Sequence, residues 1–223
     1  PFCRGRILST IEQDEGQYDT PCEVFWASGA AFCCKADVFR ALGGFDADFF
    51  AHMEEIDLCW RMQLEGYKIY AVPESTVYHV GGGTLPNNSP YKLYLNYRNN
   101  LLMLSNNYPR TVALEYIQNG KELYWAAKRG IKAGFKVIMA RMFFDDLAAV
   151  LYLLTFRTKS FMAVVKAHRD YRRLKRRTSK MEVAEYLQDH MDVTINGMYR
   201  KSIIVQRILD GHAVFARMHQ TDF

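Results

Sequence analysis

The sequence predicts an α/β amino-terminal part, residues 1–89, followed by a mainly helical region, residues 90–223. Three observations carry that division. A helix pattern opening at Glu54 lies between Gly43-Gly44 and Gly66, and alternating Tyr67-Lys68-Ile69-Tyr70-Ala71-Val72 follows it as a strand that Pro73 ends. From Tyr91 onward the apolar residues Leu93, Tyr94, Tyr97, Leu101, Leu102 and Leu104 change to helical spacing. Finally, Gly134 to Phe156 is rich in apolar residues, but Arg141, Asp145 and Asp146 interrupt it, which argues against a bilayer span.

Composition narrows the class further. The chain has 223 residues, an ordinary apolar and charged content and a formal net charge of +5, which fits a folded globular protein. Its cysteines (Cys3, Cys22, Cys33, Cys34 and Cys59) contain no C-x-x-C pair and no zinc-finger spacing. Such a scattered, odd-numbered set suits a reducing cytoplasm better than a disulfide framework. The chain opens on Pro1-Phe2-Cys3-Arg4-Gly5, which reads as mid-domain sequence and leads us to expect a piece of a longer protein.

In chain order, residues 1–25 read as a loop, with Glu12 to Gln17 solvated. Val24 to Cys34 is apolar and small, suited to a buried strand or an irregular floor beneath a site. Lys35 to Leu42 reads as a short helix closed by Gly43. After the Glu54 helix and its strand, Ser75 to Val80 reads as another strand that empties into Gly81-Gly82-Gly83-Thr84. Such a loop lets backbone approach a ligand closely. Tyr91 to Asn106 reads as a helix broken at Asn106-Asn107-Tyr108-Pro109, Thr111 to Gly130 as a second helix, and Gly134 to Phe156 as a tightly packed or membrane-surface helix. Lys166 to Arg177 sets seven basic residues against Asp170. Met181 to Phe223 is mixed in character, with a helix pattern at Glu182 to Asp192.

The chemistry concentrates on the Glu54 helix. At about 100° per residue, Met53, Ile56, Trp60 and Leu64 share one face, the core side. Glu54, Arg61 and Glu65 fall on a second face, and Asp57 pairs with Arg61 four residues on. Glu55 points away from both. A carboxylate free of local salt bridges at a helix start, after a flexible loop, is a candidate general base. The alternative is that Glu54, Glu55 and Asp57 only cap the helix. A lone His79 at a strand end is more often a structural residue than a metal ligand, and Arg98 either faces a phosphate or lies on the surface.

The segment Gly43-Gly44-Phe45-Asp46 through Phe49-Phe50, Glu54-Glu55, Asp57-Leu58-Cys59-Trp60-Arg61 and Gly66-Tyr67 resembles the family-two inverting glycosyltransferases, in particular rhamnosyltransferase-like members. Trp26-Ala27-Ser28-Gly29 upstream, His79 before Gly81-Gly82-Gly83, and Tyr97-Arg98-Asn99 downstream match further blocks of that family in the same order. The resemblance covers the first half of the chain.

It implies the acceptor-side half of a GT-A (nucleotide-diphospho-sugar transferase-like) domain. It also implies inverting transfer of a sugar from a nucleoside diphosphate to an acceptor hydroxyl, in cell-surface polysaccharide synthesis. Glu55, or else Glu54, would be the base; the family most often has Glu-Asp where this chain has Glu54-Glu55. Asp57, Arg61 and Arg98 would support it, and Trp26, Gly29, Gly81, Gly82 and Gly83 would shape the substrate pocket. His79 would help hold a divalent metal, Mg²⁺ or Mn²⁺, on the nucleotide sugar. The family's D-x-D would lie outside this chain, since Asp46-Ala47-Asp48 sits in the acceptor-side loop. A lipid-linked glycan is the preferred acceptor, because it would explain the basic and apolar helices, with protein or soluble glycan left open; the expected location is cytoplasmic, either free or peripheral on the inner face of the membrane.

Two other classes compete. A metal-dependent hydrolase would draw on His52, Glu54, Asp57 and His79, but no H-E-x-x-H framework is present. A non-catalytic membrane-surface or interaction domain would use the apolar helix and the basic run, which an anionic leaflet attracts by about 1 kcal/mol per residue. Nucleic acid is excluded as a partner, because only Tyr171 interleaves the basic run and no recognised module surrounds it.

Overall fold

The computed structural model describes residues 16, 18–79 and 89–198. Helices dominate. A two-residue strand β1 (Cys22–Glu23) is followed by helices α1 (Ala36–Ala41) and α2 (Glu54–Leu64). Strand β2 (Tyr70–Ala71) pairs antiparallel with β1, Cys22 opposite Ala71 and Glu23 opposite Tyr70. Four further helices follow among the described residues: α3 (Pro90–Gln118), α4 (Leu123–Leu154), α5 (Thr158–Leu174) and α6 (Lys180–Asp189).

Helix α3 opens where local chemistry favours it. The Ser89 hydroxyl accepts the Lys92 N–H at 3.0 Å, and Pro90 takes the first helical position, where its missing donor is harmless. The expected break at Asn106–Pro109 does not occur, and α3 runs through Pro109 for 29 residues. Side chains there bond the helix's own carbonyls: Asn107 Nδ2 donates to Met103 O (3.0 Å) and Arg110 Nη1 to Asn106 O (3.0 Å). Pro109 also seats against Gly134 of α4, where a Cβ would stand 2.7 Å from its Cγ, and a Cβ on Gly130 would collide with its carbonyl oxygen. Two glycines one turn apart let α3 and α4 pack backbone to backbone, and that tertiary contact overrides the local signal. The helix expected at Thr111–Gly130 is correspondingly divided, its first part ending α3 and its last part opening α4.

Other expectations shrink. The Tyr67–Pro73 strand is reduced to Tyr70–Ala71, residues 75–79 form no strand, and Val24–Cys34 is irregular beyond its first bonds. Among the described residues only one short partner is available, so these segments have no larger sheet to join.

One core joins both parts of the chain. Phe49, Trp60 and Leu64 pack with Leu101, Leu102 and Leu114 of α3, Ala126, Ala127 and Ile138 of α4, and Val183 and Leu187 of α6. Gln63, 1% exposed, donates from Nε2 to Phe25 O (2.9 Å) and Asn196 O (3.0 Å), while its Oε1 accepts Asn196 N–H (2.7 Å). The acid helix is thereby fixed from both ends of the described chain.

Candidate active site

Ahead of α2, Phe50 (φ 63°), His52 (φ 69°) and Met53 (φ 72°) all stand in left-handed backbone, and none is glycine. Each such residue carries strain of about 1–2 kcal/mol, so the surroundings must hold the loop in place. Helix α3 does so. Asn99, fully buried, sets Nδ2 at 2.9, 2.8 and 2.7 Å from the carbonyl oxygens of Phe49, Ala51 and His52. Beside it, Arg98 Nη2 donates to Asp48 O (2.7 Å) and Phe49 O (2.8 Å), Nη1 to the Tyr94 hydroxyl (3.0 Å) and Nε to Asn99 Oδ1 (2.9 Å). Arg98 is therefore neither on the surface nor turned to a phosphate; its guanidinium positions the loop. The Tyr94 hydroxyl donates in turn to Asp170 (3.0 Å), and Arg176 reaches Asp46 (3.2 Å) and Asp48 (3.6 Å). Much of the basic run is thus tied down, since Lys166, Arg169 and Arg173 also face Asp170.

That loop delivers the first turn of α2. Glu54 and Glu55 are half-buried, and each has an Oε2 shielded from solvent without a hydrogen-bond partner among the described residues. His52 Nε2 and Asn100 Oδ1 share this condition. Unsatisfied buried polar atoms are costly, which makes this group a candidate for contact with a polar ligand. Burial pushes the Glu55 carboxyl above the ordinary glutamate range; backbone N–H groups at the helix start oppose the rise, and the charge of Glu54 adds to it. Burial lowers the His52 pKa, with Lys92 adding to the drop and Glu54 opposing it.

Gly29 lies against this acid: a Cβ there would stand 3.7 Å from Glu55 Cβ. The small-residue segment crosses the start of α2, anchored by Ala27 N–H on Cys59 Sγ at 3.5 Å, and Trp26 within it is half-buried. Thus Glu55 lies beneath neighbouring chain instead of facing open solvent.

Asp57 has a different role from its two neighbours. It is 1% exposed, accepts Arg61 Nε (2.8 Å) and Asn107 Nδ2 (2.7 Å), and has no free oxygen. Arg61 continues to Leu42 O (2.6 Å) and Gly44 O (2.8 Å), locking the glycine turn onto α2. Trp60 anchors the opposite face, its Nε1 donating to Thr111 Oγ1 at 2.8 Å.

His79 is exposed, and Gly81, Gly82 and Gly83 lie outside the described residues. Among the described residues no group of three His, Cys, Asp or Glu side chains is arranged to hold a metal ion. The donors present therefore do not make a Mg²⁺ or Mn²⁺ site by themselves. The hydrolase set fails more directly, because both oxygens of Asp57 are engaged elsewhere. Sequence reasoning gave no role to Asn99 or Asn100. The signal was present, as Arg98-Asn99-Asn100 is a polar run set among the apolar residues of a helix.

The geometry sets an acid pair behind a clamped, strained loop, and part of the chain is similar to glycosyltransferases. It is 30% identical over 79 residues to N-acetylglucosaminyl-diphospho-decaprenol L-rhamnosyltransferase of Mycobacterium tuberculosis, covering 35% of this chain and 26% of that protein. It is 34% identical over 56 residues to rhamnosyltransferase WbbL of Escherichia coli, covering 25% of this chain and 21% of that protein. The match spans about a quarter of the first relative's length and a fifth of the second's. These similarities support a glycosyltransferase-like family. No protein-family model matches the chain, and no solved structure matches it.

Proposed function

We propose that this chain is the acceptor-side part of an inverting glycosyltransferase that uses a nucleoside-diphosphate sugar. One observation carries the reading: the half-buried Glu55 carboxylate at the start of α2 has an unpartnered oxygen and a raised pKa, while Asp57 beside it is fully engaged. In this mechanism Glu55 takes the proton from an acceptor hydroxyl as that oxygen attacks the anomeric carbon. The bond from that carbon to the diphosphate breaks on the opposite face, and its electron pair leaves with the nucleoside diphosphate. A base with its pKa raised toward neutrality is suited to that transfer. Glu54 and Asn100 present further free oxygens to sugar hydroxyls. The Arg98–Asn99 clamp keeps the acids in position, so little reorganisation is needed on binding.

The nucleotide sugar and a glycan or lipid-linked glycan acceptor are the partners of this reaction, in polysaccharide synthesis on the inner side of the membrane. A divalent ion, Mg²⁺ or Mn²⁺, would enter with the diphosphate, take His79 as one ligand and offset the charge of the leaving group.

The test is a transfer assay on the full-length parent protein, with a panel of sugar nucleotides and Glu55→Gln beside Glu54→Gln. Loss of turnover by orders of magnitude in Glu55→Gln, with a smaller loss in Glu54→Gln, supports the assignment. Full activity in Glu55→Gln would leave the acid pair as a helix cap.

A further inference from the structure

The second half of α4 and the turn into α5 form a projecting apolar tip. Phe143, Phe144, Leu147, Val150, Leu151, Leu153 and Leu154 are all exposed, Leu151 at 60% and Leu154 at 71%. At about 100° per residue these side chains spread over roughly half the circumference of the helix. A partner helix or sheet covers a narrower stripe. Side chains exposed so widely suit immersion in a fluid phase.

The tip also has little to offer a protein partner, whose interface needs about one hydrogen bond per 100–200 Å². The Thr155 hydroxyl is bonded to Leu151 O at 2.8 Å, and the Tyr152 and Tyr97 hydroxyls bond each other. Asp146, its only exposed acid, faces His168 at 3.3 Å.

The apex supplies an independent observation. Helix α4 ends with Phe156 N–H on Leu153 O (3.1 Å) and Arg157 N–H on Tyr152 O (2.8 Å), a closing turn in which the left-handed position is normally glycine. Here it is Phe156, at φ 56° and 90% exposed. The ring adds backbone strain while most of it remains in solvent, so the benefit of an aromatic there lies outside the chain. Arg157 and Lys159 follow directly, both exposed, and Lys132 and Lys136 are exposed further back along α4. Basic residues flanking an apolar tip complement anionic headgroups above an acyl layer. No described helix is long and apolar enough to cross a membrane, so the tip fits the interface and does not span the bilayer.

We infer that the α4–α5 tip inserts into the interfacial layer of an anionic phospholipid bilayer, with Leu151, Leu154 and Phe156 among the acyl chains and Arg157 and Lys159 at the phosphates. This inference does not depend on the sugar-transfer chemistry. A groove of about 440 Å³ lined by Tyr91, Tyr94, Lys159, Met162 and Lys166 leads from the tip toward the acid loop, where Phe50 packs edge-on against Tyr91.

The test is co-sedimentation of the full chain with vesicles of phosphatidylcholine alone and of phosphatidylcholine with phosphatidylglycerol. Binding to the anionic vesicles, weakened at least tenfold in a Leu151→Glu/Leu154→Glu double variant, is expected. An Arg157→Glu/Lys159→Glu variant should lose the preference for anionic vesicles. A Phe156→Trp variant, changed only at an exposed ring, should show blue-shifted emission with anionic vesicles even if the charged variants misfold. Unchanged emission, no binding, or binding that survives Leu151→Glu/Leu154→Glu in a folded protein overturns the inference. Light scattering that shows a dimer abolished by the same double substitution also overturns it, by assigning the tip to a second copy.

Discussion

Asn99 and His52 are 47 residues apart in sequence, yet Asn99 Nδ2 stands 2.7 Å from the His52 carbonyl oxygen. That amide has two hydrogens and three carbonyl acceptors within 2.9 Å, so one hydrogen is shared. Through this contact the middle of a buried helix dictates the backbone of a strained loop, and the loop dictates where two glutamates begin the next helix.

Removing the clamp should therefore affect both stability and activity. Asn99→Ala is expected to lower stability by about 1–3 kcal/mol, since it leaves buried carbonyls unpaired, and to reduce transfer even below the new melting temperature. Thermal denaturation and turnover on the same preparation check this. Normal turnover in a destabilised protein would show that the acids do not depend on the loop.

Glu55 makes a signed prediction about pH. Its folded pKa is raised above the unfolded value, so the stability it contributes is present below the ordinary glutamate value and lost as pH rises through the raised folded value. Glu55→Gln should consequently be more stable than the wild type at neutral pH, and the gain should shrink as pH falls through the raised folded value toward the ordinary glutamate value. Denaturant melts across that range measure it. For the full-length enzyme, the acid limb of the kcat/KM profile should lie above the ordinary glutamate pKa and vanish with Glu55→Gln, whose residual rate should be lower by about 10²–10⁴.

Gly130 tests the close approach of α3 and α4. Alanine is the better helix former by about 1 kcal/mol, yet Gly130→Ala should destabilise by about 1–3 kcal/mol, because its Cβ would meet the Pro109 carbonyl oxygen. Gly120, in left-handed backbone with open space around it, is the control: Gly120→Ala should suffer only from its φ of 72°. Chemical denaturation of both variants distinguishes crowding from propensity.

Trp60 and Thr111 form a buried pair at 2.8 Å. Thr111→Val keeps the volume but leaves the indole N–H without an acceptor, which should cost about 1–3 kcal/mol. Thr111→Ser, which restores the acceptor, should recover most of that loss.

Local sequence determined the elements that local physics controls. The Asp57–Arg61 pair, the core stripe of Met53, Ile56, Trp60 and Leu64, the stop at Gly66, the start of a helix near residue 90 and the apolar character of Gly134–Phe156 all followed from spacing. These features depend on helix periodicity and on contacts within one or two turns, and a linear reading contains both. The family resemblance also lay in the sequence, because it rests on the order of short blocks.

Tertiary structure alone decided the rest. Pro109 looks like a helix breaker until Gly130 and Gly134 of another helix are seen to receive it. Arg98 reads as a phosphate ligand or a surface charge until the carbonyls of Asp48 and Phe49, fifty and forty-nine residues away, are found at its guanidinium. The distinction between Asp57, fully paired, and Glu55, half-buried with a free oxygen, depends on Asn107 and Gly29 approaching from distant segments. Burial and long-range hydrogen bonding are properties of the packed chain. They convert three similar carboxylates within four residues into one structural anchor and two reactive candidates.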